Sequence, residues 1–283
     1  MGRSLIVNAD DLGWSTEVNV GIIEAHTQGV VTSTTLMTTM PGSQDALDRL
    51  RDCPALGIGV HLTLTAGQPT SPDASVRRRL APRGTFPNSL SGLLGRARTS
   101  KRWRECAETE LAAQIEWVLK NGLKPDHLDS HKHMHVVEPF PEIVAGLARR
   151  YGIRCVRTTC ERRRVRLGYV PAMARLRRGL LLRWGSRAER VFAGAGLIQP
   201  ETLFGIEDTG RPSLTRFKAF LESCEADSVE WMVHPGNREE RPTAPTRLLE
   251  SRSAEKMMLT DPELRDIIAT CGFQLVRFEE LSE

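Results

Sequence analysis

The chain has 283 residues, 40% of them hydrophobic, with 39 basic and 35 acidic side chains and a net charge of +4. That composition leaves enough apolar material for a buried core and excludes wholesale disorder. No apolar run reaches the ~18–20 residues needed to cross a bilayer, and the apolar start at Leu5-Ile6-Val7 meets Asn8, Asp10 and Asp11 too soon for a secretory leader. The reading is a soluble, cytoplasmic chain. Its six cysteines form no C-x-x-C pair, so they read as reduced thiols rather than a disulfide framework or a zinc knuckle.

Short β-branched runs alternate with helical stretches, the pattern of an α/β protein with mainly parallel strands. The first strand is expected at residues 5–9, followed by a helix with Ser15 as N-cap that ends before Gly29. Strands follow at 31–38 and 58–64, and 66–88 reads as a loop rich in Pro, Thr, Ser, Gly and Arg. A helix over 103–120 stops at Asn121-Gly122. A strand is expected at 127–130, a helix at 141–150 ending on Gly152, and a strand at 153–158. Residues 159–211 fit the alternation least well and read as a basic insertion within a single catalytic domain spanning 1–283. A helix near 171–187 would place Met173, Leu176, Leu180 and Trp184 on one face, with Arg177 and Arg187 intruding. Strands at 229–234 and 273–278 flank a loop at 238–245 and a last helix with Asp261 as N-cap, Pro262 as first helical residue and Gly272 as terminator.

Charge is unevenly placed. Residues 149–190 hold fourteen arginines against Glu161 and Glu189, a segment charge of +12, so the rest of the chain carries −8. Such a patch suits phosphate-rich partners, nucleic acid or an anionic membrane surface, and equally a solvated insertion.

Four of the seven histidines crowd into His127-Leu128-Asp129-Ser130-His131-Lys132-His133-Met134-His135. On an extended strand Asp129, His131, His133 and His135 would share a face. Asp10 and Asp11 follow an apolar strand, and His61 interrupts another. In parallel α/β proteins working residues gather at the carboxyl ends of strands, where Asp10, Asp11, His61, His131 and His234 all fall. Two adjacent carboxylates can divide their labour beside a divalent ion, one binding it and the other accepting a proton from water. His234 fits the third need, a proton donor to a leaving amine, by residue type.

The segments Val7-Asn8-Ala9-Asp10-Asp11-Leu12-Gly13, Gly29-Val30-Val31-Thr32-Ser33-Thr34-Thr35, Gly59-Val60-His61-Leu62, the histidine run, and Val233-His234-Pro235 together resemble the YdjC-type carbohydrate deacetylases. That family includes chitooligosaccharide deacetylases and a hopanoid-associated member. The resemblance implies a distorted (β/α) barrel, a hydrolase that removes acetyl groups from N-acetylated sugars, and commonly a homodimer. It places metal ligands on Asp11, His61 and His131 and the general base on Asp10, with His234 protonating the leaving amine or steadying the oxyanion. Arg157 is implied to orient Asp10 or touch substrate, and His133 to stand behind the ligands. Magnesium is the ion associated with the family, and two imidazoles with one carboxylate suit zinc equally.

The arginine-dense segment and the apolar stretch 179–184 fit a phosphorylated, lipid-linked or membrane-borne sugar, with peripheral contact to an anionic membrane. Two rivals remain: another metal-dependent amidohydrolase or a phosphoesterase on the same ligands, and a basic nucleic-acid-binding protein. Against the last, aromatics are 5% and no helix-turn-helix, zinc-finger or RNP pattern is present, so no nucleic-acid partner is expected.

Overall fold

The computed structural model describes residues 2–161 and 171–281. The expected arginines 162–164 and 166 of the basic segment lie outside the described residues.

Strand β1 (Arg3–Leu12) is the axis of the sheet, and from Leu5 to its end every residue is buried. It is followed by helix α1 (Thr16–Thr27), β2 (Ser33–Leu36), α2 (Ser43–Leu50) and β3 (Gly57–Leu62). Then come α3 (Ala74–Leu80), α4 (Leu90–Thr99), α5 (Lys101–Lys120), β4 (His127–Ser130), α6 (Phe140–Tyr151) and β5 (Cys155–Val156). The chain finishes with α7 (Ala172–Gly194), β6 (Thr202–Phe204), α8 (Leu214–Ser223), β7 (Ser228–Val233), α9 (Ser251–Leu259), α10 (Glu263–Thr270) and β8 (Phe273–Leu275).

All strand pairs are parallel, in the order β5-β4-β3-β2-β1-β7-β6. Because β2 pairs with β1 only from Asn8 onward, the edge of β1 at Arg3–Leu5 is left for β8. The two ends of the sheet approach each other. Val156 donates to the Ile198 carbonyl at 3.0 Å, and Leu203 donates to the Cys160 carbonyl at 3.3 Å. The result is the distorted (β/α) barrel expected from the family resemblance, with β6 and α7 inside the span read as an insertion.

Local sequence explains the punctuation. Ser15 caps α1 by accepting from the Val18 amide, and Gly152 ends α6 in the left-handed region at φ 70°. The turn after β1 is held by buried Asn19, whose Oδ1 accepts from Gly13 N at 2.6 Å and whose Nδ2 donates to the Gly42 carbonyl at 2.8 Å. Asp261 Oδ1 accepts from the Glu263 amide at 2.9 Å, so it caps α10, although Pro262 stands just ahead of the helix.

Three expectations differ from the structure. The span 66–88 is not all loop: Asp73 caps α3, which buries Val76 and Leu80. The expected single face of Met173, Leu176, Leu180 and Trp184 on α7 is divided: the first three face outward at 73%, 55% and 42% exposure, while Trp184 packs against the core. The buried face of α7 is instead Leu181, Gly185, Ala188 and Phe192.

The histidine run is the third. β4 stops at Ser130 and residues His131–Val136 form a tight 3-10 segment, with Lys132 and His133 at φ 59° and 55°. Ser130 Oγ accepts from the His135 amide at 2.8 Å and closes that turn. The alternating-face reading of Asp129, His131, His133 and His135 is therefore wrong. No described helix is long and apolar enough to cross a membrane.

Candidate active site

The site sits at the carboxyl ends of the strands. Its geometry begins with an irregularity in β1, whose register against β2 slips between Ala9 and Leu12. Neighbouring side chains on a regular strand point to opposite faces. Here Asp11 takes a left-handed backbone, φ 71°, a conformation Asp tolerates better than most residues. The slip lets two consecutive acids serve one buried place.

Their partners differ. Asp10 receives two bonds from Arg157, Nη1 to Oδ2 at 2.7 Å and Nη2 to Oδ1 at 2.6 Å, and a third from Asn8 Nδ2 at 3.0 Å. Asp11 accepts from Arg252 Nη2 through Oδ2 at 2.6 Å, while its Oδ1 lies 3.5 Å from His61 Nε2. Burial favours a neutral Asp11, but Arg252, and after it the nearby histidines, outweigh that and hold its carboxyl well below the usual range.

His61, the penultimate residue of β3, is 2% exposed. Its Nδ1 meets Asp129 Oδ1 at 2.8 Å and Thr35 Oγ1 at 3.0 Å. The carboxylate can only accept, so Nδ1 carries a proton and Nε2, once it has given up its own, is the atom a ligand would meet. Burial alone would lower this imidazole, but Asp129, Asp10 and Asp11 outweigh it and hold it up to about 9.

His131 follows β4, its ring centroid 6.0 Å from that of His61 and 6.1 Å from Trp14. Its Nδ1 is bonded to Thr65 Oγ1 at 2.8 Å, which again leaves Nε2 for a ligand, and burial pushes the ring down to about 3. His234, just past β7, brings Nε2 to 3.8 Å from Asp10 Oδ2, and burial lowers it to about 4.

Arg157 is fully buried and joins three acids. Besides Asp10 it contacts Asp129 Oδ2 through Nη1 at 2.7 Å and Glu230 Oε1 through Nη2 at 2.6 Å. Burial lifts Glu230 to about 7, against the pull of Arg157.

The structure thus brings together Asp10, Asp11, His61, His131, Arg157 and His234. His133 is buried close by, but its Nδ1 has no partner among the described residues. His135 belongs to the scaffold: Nε2 bonds to the Arg157 carbonyl at 3.2 Å and Nδ1 to Ser130 Oγ at 2.7 Å. The sequence reading missed the parts played by Thr35, Thr65, Asp129, Glu230 and Arg252. Glu230 carried a signal, an acid inside the apolar run Val229-Glu230-Trp231-Met232, whereas Arg252 carried none.

One group among the described residues, Asp10, His61 and Asp129, has potential ligand atoms all within 4.8 Å of one another, a buried triad with the chemistry to hold a divalent cation. Both carboxylates of that triad already bond to Arg157. The expected ligands Asp11, His61 and His131 do not form such a group among the described residues: Asp11 Oδ1 lies 3.5 Å from His61 Nε2, and the His61 and His131 ring centroids are 6.0 Å apart. Among the described residues, buried Asp10, Asp11, Asp129 and Glu230 stand with two buried guanidiniums, Arg157 and Arg252, and with the His61 imidazole, which the acids hold protonated. The buried carboxylate and imidazole donors fit a divalent ion.

The family model described as YdjC-like protein matches residues 4–270. The chain belongs to the YdjC-like family. A carbohydrate deacetylase of Geobacillus stearothermophilus is 33% identical over 283 residues, covering 99% of this chain and 98% of that protein. A chitooligosaccharide deacetylase of Proteus mirabilis is 31% identical, covering 99% and 100%. Among solved structures, an Enterococcus faecalis protein proposed to cleave cellobiose-phosphate superposes with a TM-score of 0.77 at 25% identity, covering the whole of both chains.

Proposed function

We propose that this site hydrolyses the N-acetyl group of an N-acetylated amino sugar, with a divalent metal ion as cofactor, releasing acetate and the free amine. The observation that carries the reading is the split between neighbouring acids: Asp10 is clamped by Arg157, while Asp11 turns one oxygen to His61 Nε2. The names of the relatives supply the acetylated sugar.

Asp11 Oδ1, His61 Nε2 and His131 Nε2 would hold the ion, a set suited to the magnesium associated with the family and equally to zinc. When bound, it supplies Lewis-acid polarisation of the amide carbonyl and a more acidic water. Asp10 acts as general base, its carboxylate fixed by Arg157 and Asn8 so that it takes the proton of the attacking water. The water oxygen bonds to the acyl carbon, the C–N bond breaks, and the amine nitrogen receives the proton. His234 Nε2, 3.8 Å from Asp10 Oδ2, is placed to relay that proton, entering as a neutral imidazole. Asp129 and Thr35 hold His61 in the tautomer that presents Nε2.

Acetate release from GlcNAc, chitobiose and a GlcNAc-lipid, with and without chelator, tests the reading. Release that chelation and Asp10→Asn leave intact would defeat it. A phosphoesterase on two ions is the rival, and the metal content per chain separates them, one ion being expected.

The outward stripe Met173, Leu176 and Leu180 on α7, set among arginines, supports the finer reading of a lipid-linked sugar met at an anionic membrane. Flotation with anionic vesicles at low salt tests this. A homodimer that covers the same stripe is the other outcome, seen as a doubled mass by light scattering.

A further inference from the structure

We propose that Arg252 is a positioning residue that pins Asp11 through Oδ2, so that Oδ1 alone is turned toward the cation-binding side of the site; this rests on the reading of Asp11 as a metal ligand.

Asp11 needs such a restraint. It lies on the irregular stretch of β1, where the strand ladder does not fix its direction. With both oxygens loose, its carboxylate could chelate through either or compete with Asp10 for the water's proton. Arg252 removes that freedom from the opposite end of the sequence, donating through Nη2 at 2.6 Å.

The arginine is itself built in. It is 1% exposed, and its guanidinium lies 5.7 Å from the centroid of the Trp14 ring. Its carbonyl accepts from Gly236 N at 3.3 Å, which ties the start of α9 to the turn after His234. A Cβ at position 236 would meet Arg252 Cδ at 3.0 Å, so the glycine there is what lets the side chain pass. One turn on, buried Glu255 lies against the backbone of His234. Helix α9 therefore reaches both Asp11 and His234.

Within the described residues, Arg252 Nε and Nη1 have no hydrogen-bond partner. A guanidinium buried for a single carboxylate is a poor stability device, because desolvation opposes the pair's attraction. Arg157, with three acids around it, is a structural hub as well; among the described residues the Arg252 guanidinium hydrogen-bonds to Asp11 alone, with buried Glu255 near it. That imbalance is what a functional restraint looks like.

The test is calorimetric titration of Mg2+ and of Zn2+ into chelator-treated wild type, Asp11→Asn, Arg252→Met and Arg252→Lys, with thermal melts of each apo protein. Arg252→Met is expected to weaken metal binding about 10–100-fold, as loss of a ligand's supporting partner does. Arg252→Lys should fall between it and wild type, with kcat at saturating metal reduced and KM for sugar unchanged. Equal or tighter metal binding by a folded Arg252→Met, alongside lost binding by Asp11→Asn, overturns the positioning role. Wild-type-like binding by Asp11→Asn, or no binding by wild type, overturns the ligand reading and this proposal with it. If Arg252→Met does not fold, wild-type affinity in Arg252→Lys is the overturning result.

Discussion

Arg157→Met removes the one cation shared by three buried carboxylates. Nη1 stands 2.7 Å from an oxygen of Asp10 and 2.7 Å from one of Asp129, and Nη2 stands 2.6 Å from Glu230 Oε1. Methionine replaces the stem but leaves those acids facing each other without water. Breaking a buried ion pair by removing one partner costs about 3–5 kcal/mol. For a chain of this size each kcal/mol is worth roughly 2–4 °C, so the melting temperature should fall by about 6–20 °C. A second signature is its pH dependence. Without the guanidinium, burial pushes the Glu230 and Asp129 carboxyls up with less to oppose it, so the folded state binds more protons. The variant should then regain stability relative to wild type as pH falls from about 7 toward 5. Urea unfolding followed by circular dichroism at both pH values measures this. Glu230→Gln in the same chain should restore part of the loss, because one of the stranded charges is gone. A deficit under about 1 kcal/mol at pH 7, well below the usual cost, or one that acid leaves untouched, would refute the clamp.

Asp10→Asn should lower kcat by about 10²–10⁴-fold, the usual worth of a general base, while metal affinity measured by calorimetry stays at the wild-type value. His131→Ala should lose both metal and acetate release. Burial, helped by Glu207 and Asp208 against Arg178, lifts Glu161 from 4.5 to about 7. The folded state keeps a proton that the unfolded glutamate gives up, so stability should fall as pH rises through that window and level off above it. Glu161→Gln should flatten this slope in denaturant titrations, and a slope that survives would point to other groups. Gly13→Ala sets a Cβ at φ 93° and 2.6 Å from the Met37 carbonyl; a loss of at least about 1–3 kcal/mol is expected by chemical unfolding, and a neutral substitution would show that the turn can shift.

Much of the barrel was legible because its strands are short apolar runs closed by Gly, Pro and Asx. β4 was read to the residue, and α6 to within one residue at either end. Helices α2, α3, α4, α8 and α9 were not, for each is brief and rich in polar residues, and its few buried side chains give no sustained period. The site was legible where a polar residue closed or interrupted an apolar strand, as at Asp10 and His61; Glu230 offered the same signal and was missed. It was illegible at the histidine run, because the sequence alternates as a strand would while the backbone turns. What alternation could not reveal is that β4 has no neighbour to extend against beyond Ser130. Its pairing with β3 ends there, and β5 stops two residues earlier, opposite Leu128.

The different surroundings of the adjacent acids are at root a backbone effect. A regular strand would send Asp10 and Asp11 to opposite faces, one into the barrel and one toward the helices. The slipped register and the left-handed Asp11 bring both to the same site, but not to the same neighbours. Asp10 meets a guanidinium from the end of β5, already shared with Asp129 and Glu230, and gains a fixed direction from it. Asp11 meets a guanidinium from α9 that, among the described residues, hydrogen-bonds to no other side chain, and keeps one oxygen for His61. Chemically identical side chains are therefore told apart by which arginine reaches them, one from residue 157 and the other from residue 252. A second aspartate alone would not give the pair two environments; the two cations that hold the acids apart do.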